Sequence, residues 1–234
     1  MNLRNILNEL KDELEKLGNI FLGSYIIEVQ KNPLYFVDVI LEDETMKFDY
    51  ISSLRAYFLL TNAAFESAVE EISKYMLEKS IILWKEKNQI NRILRHFILG
   101  SNTIISNINF ENGKFNAQNY TDNFEKILEI LKENFYKVIN SNHGVKRDNL
   151  LEMFSYLGLV SQLYSSELIT ELESWGKDRG TFAHHKFSKA FTLSSSTISF
   201  EDPTYFIIKT NRILELIRQE YINQFIIELG EDAI

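Results

Sequence analysis

From Asp49 to Lys87 the residues Leu54, Tyr57, Phe58, Thr61, Phe65, Ala68, Val69, Ile72, Tyr75 and Met76 recur at steps of three and four. Such spacing lines one face of an α-helix, whose period is about 3.6 residues. A helix this long must be covered by others along its stripe, so the chain is constrained toward helix-on-helix packing. Ser52 and Ser53 are the expected caps at its start. Pro numbers 2 and Gly 9 in 234 residues, which argues against an all-β fold with many tight turns and against Gly-rich phosphate loops.

Other stretches repeat the pattern. Leu3 to Leu17 is amphipathic, with Gly18 as the expected stop. Thr121 to Asn140 places Phe124, Ile127, Leu128, Leu131, Phe135 and Val138 inward. Lys146-Arg147-Asp148 opens a short helix, Ser165 to Trp175 forms another, and Thr204 to Leu229 the last. Asn19 to Lys47 is ambiguous, with Pro33 between two apolar, β-branched runs, and reads as loop, short strand or helix pieces. Residues 190–200, rich in Ser and Thr, are expected to form a small hairpin or a loop. The whole reads as an all-α helical bundle with residues 1–47 as an N-terminal extension and residues 48–234 as the main domain.

Acids number 33 and bases 25, a net charge of −8. That balance excludes a broad, non-specific nucleic-acid coat or a polybasic membrane binder. There is no cysteine, so disulfides, thiol nucleophiles and cysteine-held metals are ruled out. The opening residues lack the apolar core of a signal peptide, and no apolar run reaches the roughly 18 residues of a membrane span. A cytoplasmic location is the expectation.

Chemistry then rests on a small set of side chains. Of the four histidines, His96, His143, His184 and His185, two are adjacent. They sit in the segment from Lys177 to Lys189, where Lys177, Arg179, Lys186 and Lys189 face Asp178 alone, a local charge of +3. Positive charge concentrated on an acidic chain suits an anion site. A plainer account of the same residues is a helix end, its bases complementing the dipole. His96 reads as structural and His143 as part of a turn; no two histidines share helical metal spacing, so neither a metal nor a cofactor is expected.

Arg179-Gly180-Thr181-Phe182-Ala183-His184 resembles the Arg-x(4–6)-His signature of the HEPN superfamily of helical bundles. The run Leu59 to Ser67, with Phe65-Glu66, looks like that superfamily's first long helix. Lys114 to Asn119 looks like a segment of its RNA-cleaving branch. The resemblance extends roughly from Asp49 to Leu229. In one departure, Gly180 follows the arginine where members often carry Asn or Asp, so the polar helper is Asp178 or Thr181, or is absent.

The resemblance implies a metal-independent endoribonuclease, acting as a toxin or defence effector, with RNA as substrate and an antitoxin or regulator as a further partner. His184 would handle the 2′-hydroxyl proton, and Arg179 the charge that develops on phosphorus. Lys177, Lys186 and Lys189 would touch the RNA backbone, with His185 in support and Glu66 orienting the arginine. Arg179 and His184 stand five residues apart, about 140° around an ideal helix. A kink near Gly180, or a composite site across a homodimer as is usual in the superfamily, would bring them to one substrate. The alternative is a non-catalytic HEPN-like module that binds nucleotide, RNA or protein.

Overall fold

The computed structural model describes residues 2–99, 117–142, 144–159, 166–184 and 202–229. Their helices are α1 (Leu3–Phe21), α2 (Gly23–Lys31), α3 (Glu44–Lys87), α4 (Arg92–Leu99), α5 (Ala117–Ser141), α6 (Arg147–Tyr156), α7 (Glu167–His184) and α8 (Pro203–Leu229), with a π-helical turn at Phe36–Ile40. No described residue lies in a strand. The fold is an all-α bundle, as the periodicity indicates. The hairpin expected at 190–200 falls outside the described residues.

Helix α3 is the spine. It runs for 44 residues, about 66 Å at 1.5 Å per residue. Its start differs from the expected serine cap. Asp43 Oδ1 accepts hydrogen bonds from the Thr45 and Met46 amides, each at 2.9 Å. Ser52 lies inside the helix and returns its hydroxyl to the Phe48 carbonyl at 2.9 Å. Asp43 wins because its carboxylate meets the unpaired amides of the first turn, where negative charge is favoured. The helix ends where Asn88 turns left-handed, at φ 54°.

Among the described residues, α1, α7, α8 and α4 make the most extensive packing on the spine. The centre of the packing is Trp175 of α7, fully buried, stacked on Phe58 at 4.3 Å and met edge-on by Tyr57 and Phe65, each at 6.3 Å. These aromatic pairs add to the burial energy of their large apolar area. Tyr57 also hydrogen-bonds Thr210 of α8 at 2.8 Å. Toward the far end of α3, the Tyr136 hydroxyl of α5 donates to Glu78 at 2.5 Å and Lys132 stands 3.3 Å from the same carboxylate. Burial pushes the Glu78 pKa up, but the tyrosine and the ammonium together outweigh it and leave it below the ordinary value.

Most of the described residues before 47 are helical. Leu3, Ile6, Leu7, Leu10, Leu14 and Leu17 of α1 are buried in the same core as the α3 stripe. Tyr25 and Phe36 meet Tyr50 edge-on, at 5.1 and 5.3 Å. Helix α1 continues past Gly18 to Phe21. No helix among the described residues is long and apolar enough to cross a membrane.

Candidate functional site

Helix α7 carries the basic motif and is longer than the sequence spacing suggests. It continues through Gly176 and Gly180 to His184. Glycine is a poor helix former, so packing must supply what propensity withholds. At Gly176 the reason is visible. A β-carbon built there would lie 3.5 Å from Lys146 Cγ and 3.7 Å from Val145 Cγ2. The turn before α6 therefore lies against α7 at Gly176, in ordinary van der Waals reach of where a β-carbon would stand.

That turn is held from the other side by α3. The Gly144 amide donates to Glu66 Oε1 at 2.5 Å, and the Asn149 side-chain amide donates to the Gly144 carbonyl at 3.4 Å. Gly144 has φ +124°, a conformation that favours glycine. So Glu66, expected to orient the arginine, is bonded to the turn that faces α7. Its placement next to Phe65, which touches Trp175, carries it there.

Lys177 Nζ lies 2.8 Å from Glu173, one turn earlier. The hydrogen bond from Lys177 holds the Glu173 carboxyl below its ordinary pKa, with Lys177 and Arg147 adding charge. Asp178 Oδ2 lies 3.2 Å from Lys209 Nζ, and Lys209 also reaches Ser174 Oγ at 3.3 Å and the Trp175 ring at 5.6 Å. The carboxylate expected as polar helper to Arg179 is thus engaged by α8. Arg179 is half-buried, and its Nε is buried with no hydrogen-bond partner among the described residues. An N–H in that state costs about 1–3 kcal/mol until an acceptor arrives.

Gly176 and Arg179 are three residues apart, so they lie on neighbouring turns of one α7 face. Lys146 thereby lies against the α7 face that carries Gly176. In the sequence, Lys146 and Arg147 mark only the opening of a helix. No local pattern reveals the neighbourhood, because α6 and α7 are joined through the chain's topology. Of the other motif residues, Thr181 and His184 lie on the last turn of α7, but their side chains fall outside the described residues. His185, Lys186 and Lys189 fall outside them entirely, as does His143. His96 is exposed with its ring against Gly158, a structural position.

In comparisons with known proteins, the RiboL-PSP-HEPN family model matches residues 3–223. No curated protein and no solved structure matches the chain. The match begins within α1, so it includes the N-terminal segment that the sequence resemblance left aside.

Proposed function

The chain belongs to the RiboL-PSP-HEPN family, and from that premise we propose that it is a metal-independent endoribonuclease that cuts RNA through the RNA's own 2′-hydroxyl. The observation that carries the reading is Arg179. Its neighbours Lys177 and Asp178 already have ionic partners, whereas its buried Nε has no acceptor among the described residues. A phosphate oxygen is the acceptor a guanidinium fork fits best.

The reaction follows from the residue types. His184 takes the 2′-hydroxyl proton, and the freed oxygen attacks the adjacent phosphorus. Negative charge builds on the phosphorane oxygens, where Arg179 opposes it. The bond to the 5′-oxygen breaks, that oxygen takes a proton, and a 2′,3′-cyclic phosphate remains.

Both residues lie on one continuous helix, and five helical steps separate them by about 140°. That angle supports a homodimer in which Arg179 of one protomer and His184 of the other meet at one substrate. An acidic chain whose bases concentrate around Arg179 would hold RNA chiefly where it cuts, as suits a toxin or defence effector kept in check by an antitoxin or regulator.

The test is RNA cleavage in EDTA by the wild type beside Arg179→Ala and His184→Ala. Wild-type cutting with a loss of about 100-fold or more in both variants supports the reading. Uncut RNA with the wild type, or equal cutting by the variants, ends it and leaves a binding module.

A further inference from the structure

The nuclease reading turns on Arg179, and the helix that carries it is weak at that point. Lys177, Asp178 and Arg179 stand between Gly176 and Gly180. Glycine has no side chain to pack and is a poor helix former, so a segment between two of them frays more readily than its neighbours. Trp175, which anchors α7 on α3, comes just before the first glycine. At the second, a β-carbon would meet nothing within 4 Å among the described residues.

Lys209 of α8 reaches across the first glycine. Its Nζ lies 3.3 Å from Ser174 Oγ, 3.2 Å from Asp178 Oδ2 and 5.6 Å from the centroid of the Trp175 ring. Ser174 and Trp175 precede Gly176, and Asp178 follows it. One ammonium, with its three donors, thus joins the anchored part of the helix to the part that carries the arginine. The lysine is 14% exposed, so its charge is screened less than that of an ion pair in open solvent. Asp178 and Arg179 are adjacent, about 100° apart around the helix. Holding the aspartate against α8 therefore sets the direction in which Arg179 leaves α7. Arg212 of α8 also reaches α7, at Glu171 (3.8 Å) and Glu167. Arg212 is exposed, and its contacts lie more than two turns before Arg179.

We propose that Lys209 is a positioning residue for Arg179: by holding Asp178 across Gly176, it keeps the guanidinium where negative charge develops on the phosphorane. The proposal rests on the nuclease reading for what the arginine meets. Lys209 itself touches no reacting atom. A displacement of about 1 Å can cost about 100-fold in rate. Because Trp175 still anchors α7 without the lysine, a loss of about fivefold is expected. The charge that Arg179 opposes appears only in the transition state, so the loss falls on kcat more than on KM.

The test is steady-state cleavage of a labelled single-stranded oligoribonucleotide by the full-length chain. Wild type is compared with Lys209→Met, Lys209→Arg, Asp178→Asn and Arg212→Gln, each shown to be folded by thermal melting. Hydrogen exchange at the Arg179 and Gly180 amides is read on the same proteins. Lys209→Met should lower kcat about fivefold, leave KM within about twofold, and speed exchange at both amides. Lys209→Arg restores the charge and should recover roughly half or more of the wild-type kcat. Arg212→Gln should match the wild type in kcat and in exchange. The double variant of Lys209→Met with Asp178→Asn should be no slower than the slower single variant, because both remove the same contact.

Unchanged kcat and exchange in Lys209→Met overturn the positioning role. An equal loss in Arg212→Gln does so too, since any loosening of α8 from α7 would then suffice. Losses that multiply in the double variant also overturn it, because the lysine would then act by another route than Asp178. Should Lys209→Met not fold, Asp178→Asn breaks the contact from its more hydrated side and is judged by the same criteria. If exchange responds as expected and the wild type never cuts RNA, the nuclease reading falls and the positioning of Arg179 stands. If the wild type cuts and neither kcat nor exchange responds, the reverse holds.

Discussion

Lys209 of α8 holds Asp178 of α7 at 3.2 Å, beside the motif arginine. The lysine is 14% exposed, and its ammonium lies 5.6 Å from the Trp175 ring centroid. Replacing the carboxylate by a neutral amide leaves a mostly desolvated cation whose partners among the described residues are all uncharged: the amide oxygen, Ser174 and the ring. Asp178→Asn should lower stability by about 1–2 kcal/mol, less than for a fully buried pair because Asp178 is partly hydrated. Chemical denaturation reads the loss. RNA cleavage should fall by less than about tenfold, against about 100-fold or more for Arg179→Ala. A catalytic loss equal to that of the arginine variant would mean that Asp178 acts on the reaction directly.

Glu66 and Gly144 give a graded prediction. Glu66→Ala strands the Gly144 amide at a buried position and should cost about 1–3 kcal/mol. Glu66→Gln keeps a carbonyl acceptor and should lose less than half of that. Hydrogen exchange at the Gly144 amide should speed up in the alanine variant and barely change in the glutamine variant. Identical behaviour of the two would show that the carboxylate's charge, and not its acceptor, holds the turn.

Two glycines should respond to alanine with opposite sign. At Gly180 a β-carbon meets nothing within 4 Å, and the residue is inside a helix. Gly180→Ala should raise stability by about 0.5–1 kcal/mol. Gly158 has φ +69°, and a β-carbon there would stand 2.4 Å from the His96 ring. It also closes α6, where the Leu159 amide reaches the Phe154 carbonyl and the Gly158 amide that of Ser155, at 3.0 and 3.2 Å. Gly158→Ala should cost about 1–3 kcal/mol. Thermal melts of the two variants on either side of the wild type check the pair.

Alkaline pH should unfold the protein partly through Tyr57. Burial raises its pKa to about 12, with the Thr210 hydrogen bond acting the other way. An unfolded tyrosine ionises near pH 10, so between pH 10 and 12 the unfolded chain has lost a proton that the folded chain keeps. Stability is fully present below about pH 10 and falls through that window, by about 2–3 kcal/mol from this residue. Tyr57→Phe should flatten the decline. An unchanged slope of unfolding free energy against pH would assign the alkaline sensitivity to other tyrosines.

The spine and the bundle class were legible because their signal is periodic and local: α3, α5 and α8 follow their apolar stripes nearly to their ends. The serine cap failed because Asp43 lies upstream of the apolar stripe that marked the helix. Residues 19–47 were ambiguous because their order comes from partners far along the chain, such as Tyr50 for both Tyr25 and Phe36. Helix α7 runs past its expected end because it carries on through Gly176 and Gly180, where the poor helix propensity of glycine suggests a stop. Of the candidate site, composition located Arg179 and its charged neighbours. Their pairing, Asp178 with Lys209 and Glu66 with Gly144, depends on which helices meet and has no local signature.

The uninterrupted spine also sets how this molecule can diverge. One residue inserted between Phe65 and Met76 would turn everything after it by about 100° and advance it by about 1.5 Å. The face that meets Trp175 and the carboxylate that meets Tyr136 would then fall out of phase, however conservative the inserted side chain. Length can drift in the connections, while along α3 descendants are restricted to exchanging one residue for another.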